Sequence, residues 1–95
     1  MSTAERVERI RRALTARLAP VELKIRDDSA AHAGHAGARE GGHFAVLVVS
    51  DQFAGRTRMQ RHQLVYEALA ELLRTDIHAL SIQARTPQEQ TRSTV

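Results

Sequence analysis

The chain has no cysteine, no tryptophan and only three aromatic residues, Phe44, Phe53 and Tyr66. Without cysteine it has no disulfide framework, thiol redox motif, cysteine nucleophile, thiolate zinc finger or self-contained Fe–S cluster. Any metal bound by its side chains would take histidine or carboxylate ligands, and there are five histidines. Long hydrophobic runs are missing too: no stretch reaches the roughly 18 apolar residues that suggest a membrane span. The start, MSTAERVERIRRAL, is charged and amphipathic. It has no apolar core before a cleavage site, so secretion is not expected and a cytoplasmic protein is.

What is present suits one small domain. Of 95 residues, 42% are apolar and 26% charged, enough to bury a core and stay soluble. The formal charge is +3, and lysine occurs once, at Lys24, so arginine supplies nearly all the positive charge. That excess permits nucleic-acid contact without demanding it.

Periodicity divides the chain. Val7, Ile10, Leu14 and Leu18 recur at three- and four-residue steps and predict a helix over 3–18, capped by Ser2 or Thr3 and stopped by Pro20. Val21, Leu23 and Ile25 alternate with Glu22, Lys24 and Arg26, as in a half-buried strand over 21–27. Residues 28–42, DSAAHAGHAGAREGG, hold four of the five glycines and read as a loop. HFAVLVVS, 43–50, is apolar at both parities, as expected of a central strand. A helical turn over 51–56 leads to a helix over 57–74 with a stripe of Leu64, Val65, Ala68, Leu69, Leu72 and Leu73, extended by Met59. IHALSIQA, 77–84, alternates again, with Leu80, Ile82 and Ala84 on one face. The helical crossover makes this strand parallel to the one it joins, so the expected fold is an α+β two-layer sandwich. A domain over 1–87 and a polar tail over 88–95, with Pro87 able to open a last helical turn, complete the reading.

Three signatures occur in order: Phe53-x-Gly55, Arg61-His62 followed by Val65 and Leu69, and Ile77-His78-Ala79-Leu80. Together with DDSAAHAGH and HFAVLVVSDQF, they make the chain resemble the BolA family from about Arg6 to Pro87. The resemblance implies a class II KH-like αββααβ fold, with a mixed three-stranded sheet and helices packed on one face. It implies two activities. One is partnership with a monothiol glutaredoxin, sharing a [2Fe–2S] cluster with that protein and glutathione in Fe–S assembly, trafficking and iron regulation, with no cofactor on the isolated chain. The other is DNA binding as a bacterial transcriptional regulator of cell morphology and stress response. The isolated chain is expected as a monomer or weak homodimer.

By parity alone His78 shares the face of Leu80 and Ile82, which predicts a partly buried histidine bonded to backbone. By resemblance, His78 falls on the family's C-terminal ligand histidine. The same resemblance takes a second ligand from the loop, for which His32 ranks first, His43 second and His35 third. Two imidazoles in place of two thiolates give a Rieske-like site of raised potential, and protonation would release them. His62 reads as a helix-boundary residue packing on the strand layer.

Arg56, Arg58 and Arg61 gather where the Phe-Ala-Gly turn meets the long helix, a place able to hold phosphate and the candidate duplex-DNA surface. The GxxG clamp of KH domains is incomplete, because Gly55-Arg56-Thr57-Arg58 lacks the second glycine. Arg6, Arg9, Arg11, Arg12 and Arg17, interleaved with Glu5 and Glu8, read as a solvated helix face. A Ser-His-Asp set can be assembled around Asp27 and Asp28, but an Ala/Gly loop preorients nothing, so catalysis is not expected.

Overall fold

The computed structural model describes residues 2–28 and 42–93. Helix α1 (Thr3–Leu18) starts at Ser2, whose hydroxyl accepts from the Glu5 amide. It buries Ile10, Leu14 and Leu18, the stripe legible in the sequence. It ends at Ala19, which sits in the left-handed region at φ 43°, ψ 55°. An L-residue with a Cβ pays about 1–2 kcal/mol there, whereas glycine pays almost nothing. Replacing Ala19 by glycine is therefore expected to raise stability by about 0.5–1 kcal/mol after the entropy of a freer unfolded chain is subtracted. Thermal unfolding checks this, and a loss of stability would rule out the strain account.

Strand β1 (Glu22–Asp27) pairs antiparallel with β2 (Gly42–Val49), and β2 pairs parallel with β3 (Ile77–Arg85). The sheet order β1-β2-β3 puts the strand that is apolar at both parities in the centre, as expected. Phe44, Val46 and Val48 face the core with Leu23, Ile25, Leu80, Ile82 and Ala84. The opposite face, with Lys24, Arg26, Ser81 and Gln83 exposed around half-buried Ala45 and Leu47, is the helix-free side among the described residues. The chain is thus an α+β protein with a mixed three-stranded sheet, as the element order implied.

A 3-10 turn (Asp51–Phe53) leads to α2 (Arg58–Ala68). Gly55 takes φ 72° between them, a conformation that favours glycine. Thr57 and Gln60 cap α2 reciprocally, amide to side chain at 3.1 and 2.9 Å. The single helix expected over 57–74 is instead two: Leu69 leaves helical geometry at φ −104°, ψ 12°, and α3 (Ala70–Thr75) follows. Neither glycine nor proline marks the break. Leu69 is fully buried there, and Leu72 and Leu73 pack beside the core. Two apolar residues assigned to buried faces are not buried. Val21 precedes β1 and Met59 lies on the outer side of α2, 66% and 72% exposed.

The helical turn expected at Pro87 forms and extends to Ser93. A boundary after residue 87 falls inside α4 (Pro87–Ser93). Thr86 and Glu89 form its capping box: the Thr86 amide donates to Glu89 Oε1 at 2.8 Å, and the Glu89 amide to Thr86 Oγ1 at 3.2 Å. The sequence Thr-Pro-Gln-Glu carries that signal, with proline at the first helical position.

Candidate functional site

His78 is exposed, not core-facing as strand parity predicts. The cause is a bulge at the start of the β2–β3 ladder. Gly42 pairs with Ile77, but His43 pairs with Ala79, so His78 is an extra residue in β3. Its hydrogen bonding changes phase accordingly. The Gly42 amide bonds the Asp76 carbonyl at 3.0 Å, whereas at the far end the Ser50 amide bonds the Arg85 carbonyl at 2.9 Å. Ile77 is buried on one side of the bulge and Leu80 joins the core edge on the other. Such bulges re-aim a side chain.

The same bulge sets His78 beside His43. Their ring centroids are 5.3 Å apart with planes inclined by 53°. His43 is half-buried, and its carbonyl accepts from the Asp28 amide at 2.6 Å, so both neighbouring strands fix its backbone. The turn before His78 is held as well: buried Asp76 receives Arg9 Nη1 at 3.4 Å. Two imidazoles bound to one metal at the usual metal–nitrogen distance of ~2.0–2.1 Å have ring centres roughly 5 Å apart, a spacing that this pair matches. Among the described residues no group of three or more histidines and carboxylates could hold a metal. His32, ranked first as second ligand, and His35 lie outside the described residues.

The arginine cluster does not act as one unit. Arg61 is committed internally and its side chain is 15% exposed. Its Nε donates to the Arg56 carbonyl at 3.1 Å and its Nη1 to the Ala84 carbonyl at 3.2 Å. Both terminal nitrogens grip Glu89, at 2.6 and 3.2 Å. The Arg61 hydrogen bond, followed by the Thr86 amide, lowers the Glu89 carboxyl from 4.5 to about 2. Arg61 therefore joins α2, β3 and α4, and it drops out of the candidate DNA surface. Arg56 and Arg58 are exposed, Arg56 bonding the Gln52 carbonyl through Nε at 2.9 Å. They border a groove of about 410 Å³ along Ile82, Gln83 and Ala84 of β3, with His62 half-buried in its wall. The packing role expected for His62 agrees with that position.

On α1 the mixed-charge reading holds for Arg11 and Arg12, which pair with Glu8 at 3.9 and 3.3 Å. Arg6 departs from it, being half-buried with its Nε enclosed and unbonded among the described residues. Of the acidic pair weighed for catalysis, Asp28 receives a two-pronged contact from Arg26 at 2.7 and 3.1 Å. No described helix is long and apolar enough to cross a membrane.

The sequence matches the family model described as BolA-like protein over residues 14–89. It is 45% identical over 87 residues to SufE-like protein 1, chloroplastic/mitochondrial, of Arabidopsis thaliana, covering 85% of this chain and 24% of that protein. It is 42% identical over 82 residues to the DNA-binding transcriptional regulator BolA of Escherichia coli (strain K12), covering 86% of this chain and 76% of that protein. The solved BolA domain of SufE1 from Arabidopsis thaliana superposes with a TM-score of 0.79 at 45% identity, over 94% of this chain and 98% of that one. The first curated relatives are longer: the chain spans 24%, 55% and 57% of three of them.

Proposed function

The chain belongs to the family of BolA-like proteins, and from that premise we propose that it is a binding module, not an enzyme, which shares a [2Fe–2S] cluster with a cytoplasmic monothiol glutaredoxin. His78 is one ligand and His43 the other. The observation that carries this reading is the 5.3 Å approach of the two rings on adjacent strands. The bulge turns His78 out, and the paired backbone of β2 orients His43, so little side-chain ordering remains to oppose binding. With no cysteine of its own, the chain needs thiolates from the glutaredoxin and glutathione. Imidazole ligation would raise the cluster's potential and make its retention pH-dependent.

Co-expression with a monothiol glutaredoxin, read by visible circular dichroism and EPR, tests the assignment. His78→Ala and His43→Ala are each expected to change the spectrum of the shared cluster, and His32→Ala to leave it as it is. An unchanged spectrum for His78→Ala would overturn the proposal. A change with His32→Ala and none with His43→Ala would move the second ligand to the loop. A second reading is favoured by the exposure of Arg56 and Arg58 together with the name of the bacterial relative: a transcriptional regulator contacting duplex DNA. It predicts that charge removal at these two arginines flattens the salt dependence of binding to promoter fragments.

A further inference from the structure

The outer edge of β3 is built to receive another strand. On β2 the odd residues bond β1: the Val21 amide meets the Val49 carbonyl, and the Asp28 amide the His43 carbonyl. The even residues bond odd residues of β3, as Ser50 does with Arg85. The even residues of β3, Leu80, Ile82 and Ala84, therefore turn their backbone N–H and C=O groups outward, where the described sheet has no fourth strand. The Ala84 carbonyl takes Arg61. The groove running along Ile82 and Ala84 leaves the edge beside it open.

Two features give this edge a preferred partner. Exposed edges are commonly defended by charge, and β1 follows that rule with Glu22, Lys24 and Arg26. Of the β3 residues lining the groove only Gln83 is exposed, and it is uncharged, while half-buried Arg85 turns to Gln90. The charge sits instead across the groove, on Arg56 and Arg58 at the start of α2. Arg58 has no ion pair among the described residues, and Arg56 spends only its Nε, on a carbonyl. The groove's own chemistry shows what such arginines take, since Arg61 holds the carboxylate of Glu89 by two nitrogens.

We propose that β3 accepts an extended acidic segment of a partner protein as an added strand, its backbone bonding Ile82 and Ala84 and its carboxylates meeting Arg56 and Arg58. Backbone bonds supply affinity and the alternate side chains supply selectivity, as in other strand-addition complexes. Nucleic acid makes poorer use of the same place. It cannot continue a backbone ladder, the groove offers base stacking only the half-buried His62 ring and no Phe, Tyr or Trp, and the Glu89 carboxylate repels phosphate. The proposal does not depend on the histidine pair.

The test uses the full chain and a blocked hexapeptide of alternating glutamate and valine. Its controls are the same peptide with lysine for glutamate and a short DNA duplex. Amide hydrogen exchange is expected to slow at Ile82 and Ala84 with the acidic peptide and not with the lysine peptide. Arg56→Glu combined with Arg58→Glu should weaken binding about tenfold, each lost exposed contact being worth on the order of half a decade. Ala84→Pro removes an outward-facing donor at a position where an edge strand tolerates proline, and should abolish the protection at Ile82. If that variant does not fold, the Arg56→Glu, Arg58→Glu double variant still decides the matter. Binding without protection of Ile82 and Ala84, equal binding of the lysine peptide, or binding of the duplex alone would each overturn the proposal.

Discussion

Replacing Phe53 by alanine is expected to cost about 3–5 kcal/mol, the range for removing a fully enclosed aromatic ring. Phe53 is 0% exposed and lies in the 3-10 turn that carries the chain from the sheet to α2. Its ring meets a core drawn from α1, β2 and α2, so several elements would have to shift to close the cavity. Domains of this size have about 5–15 kcal/mol of stability in total, and each kcal/mol moves the midpoint by about 4–8 °C. The melting temperature should therefore fall by roughly 12–40 °C on that scaling. Met59 supplies the control. It is as apolar in sequence but 72% exposed, and Met59→Ala should change stability by less than about 0.5 kcal/mol. Thermal unfolding by circular dichroism measures both, and similar shifts for the two would refute the proposed core. The same turn precedes Gly55, Arg56 and Arg58. A partly folded Phe53 variant should thus lose the arginine-bordered groove before it loses the sheet.

Replacing Arg61 by methionine is expected to cost about 2–3 kcal/mol, because hydrogen bonds to charged groups contribute more than neutral ones and two carbonyls lose a donor. The methionine keeps the aliphatic stem, so the loss measures the guanidinium. It should free α4 from the sheet, visible as faster amide exchange across 88–93 with little change at Val46 or Val48. The acid limb of the stability curve provides a second readout. The Glu89 carboxyl is lowered from 4.5 to about 2 by Arg61 and the Thr86 amide. A group depressed in the folded state contributes stability that is complete above its unfolded value and fades as pH falls through its folded one. The Arg61–Glu89 contribution should therefore be whole above about pH 4.5 and lost progressively towards pH 2. Glu89→Gln should remove that part of the acid dependence while leaving stability nearly independent of pH above it. If wild type and Glu89→Gln lose stability in parallel between those limits, the ion pair does not hold α4.

These variants mark where reading the chain succeeds. Local order is set by neighbours in sequence, so periodicity located α1, the three strands and the stripe of α2 and α3 to within a few residues. It missed the break at Leu69, which no residue type announces. It placed a helical turn at Pro87 but not its full length, although Thr86 and Glu89 have capping-box spacing. The arginine cluster looked uniform because Arg56, Arg58 and Arg61 differ in nothing local. Distant partners, Ala84 and Glu89, set Arg61 apart.

The sequence by itself determined the composition of the candidate site: histidines without cysteine, so a half-site, on an α+β chain whose signatures mark its family. The tertiary structure decided the geometry. A parallel ladder joins residues 35 positions apart, and one bulge in it reverses the side on which His78 emerges and brings its ring to 5.3 Å from that of His43. Strand parity counts residues along one chain. A bulge arises from how two strands register against each other, and that is settled only when the core between Phe44, Ile77 and Leu80 has packed.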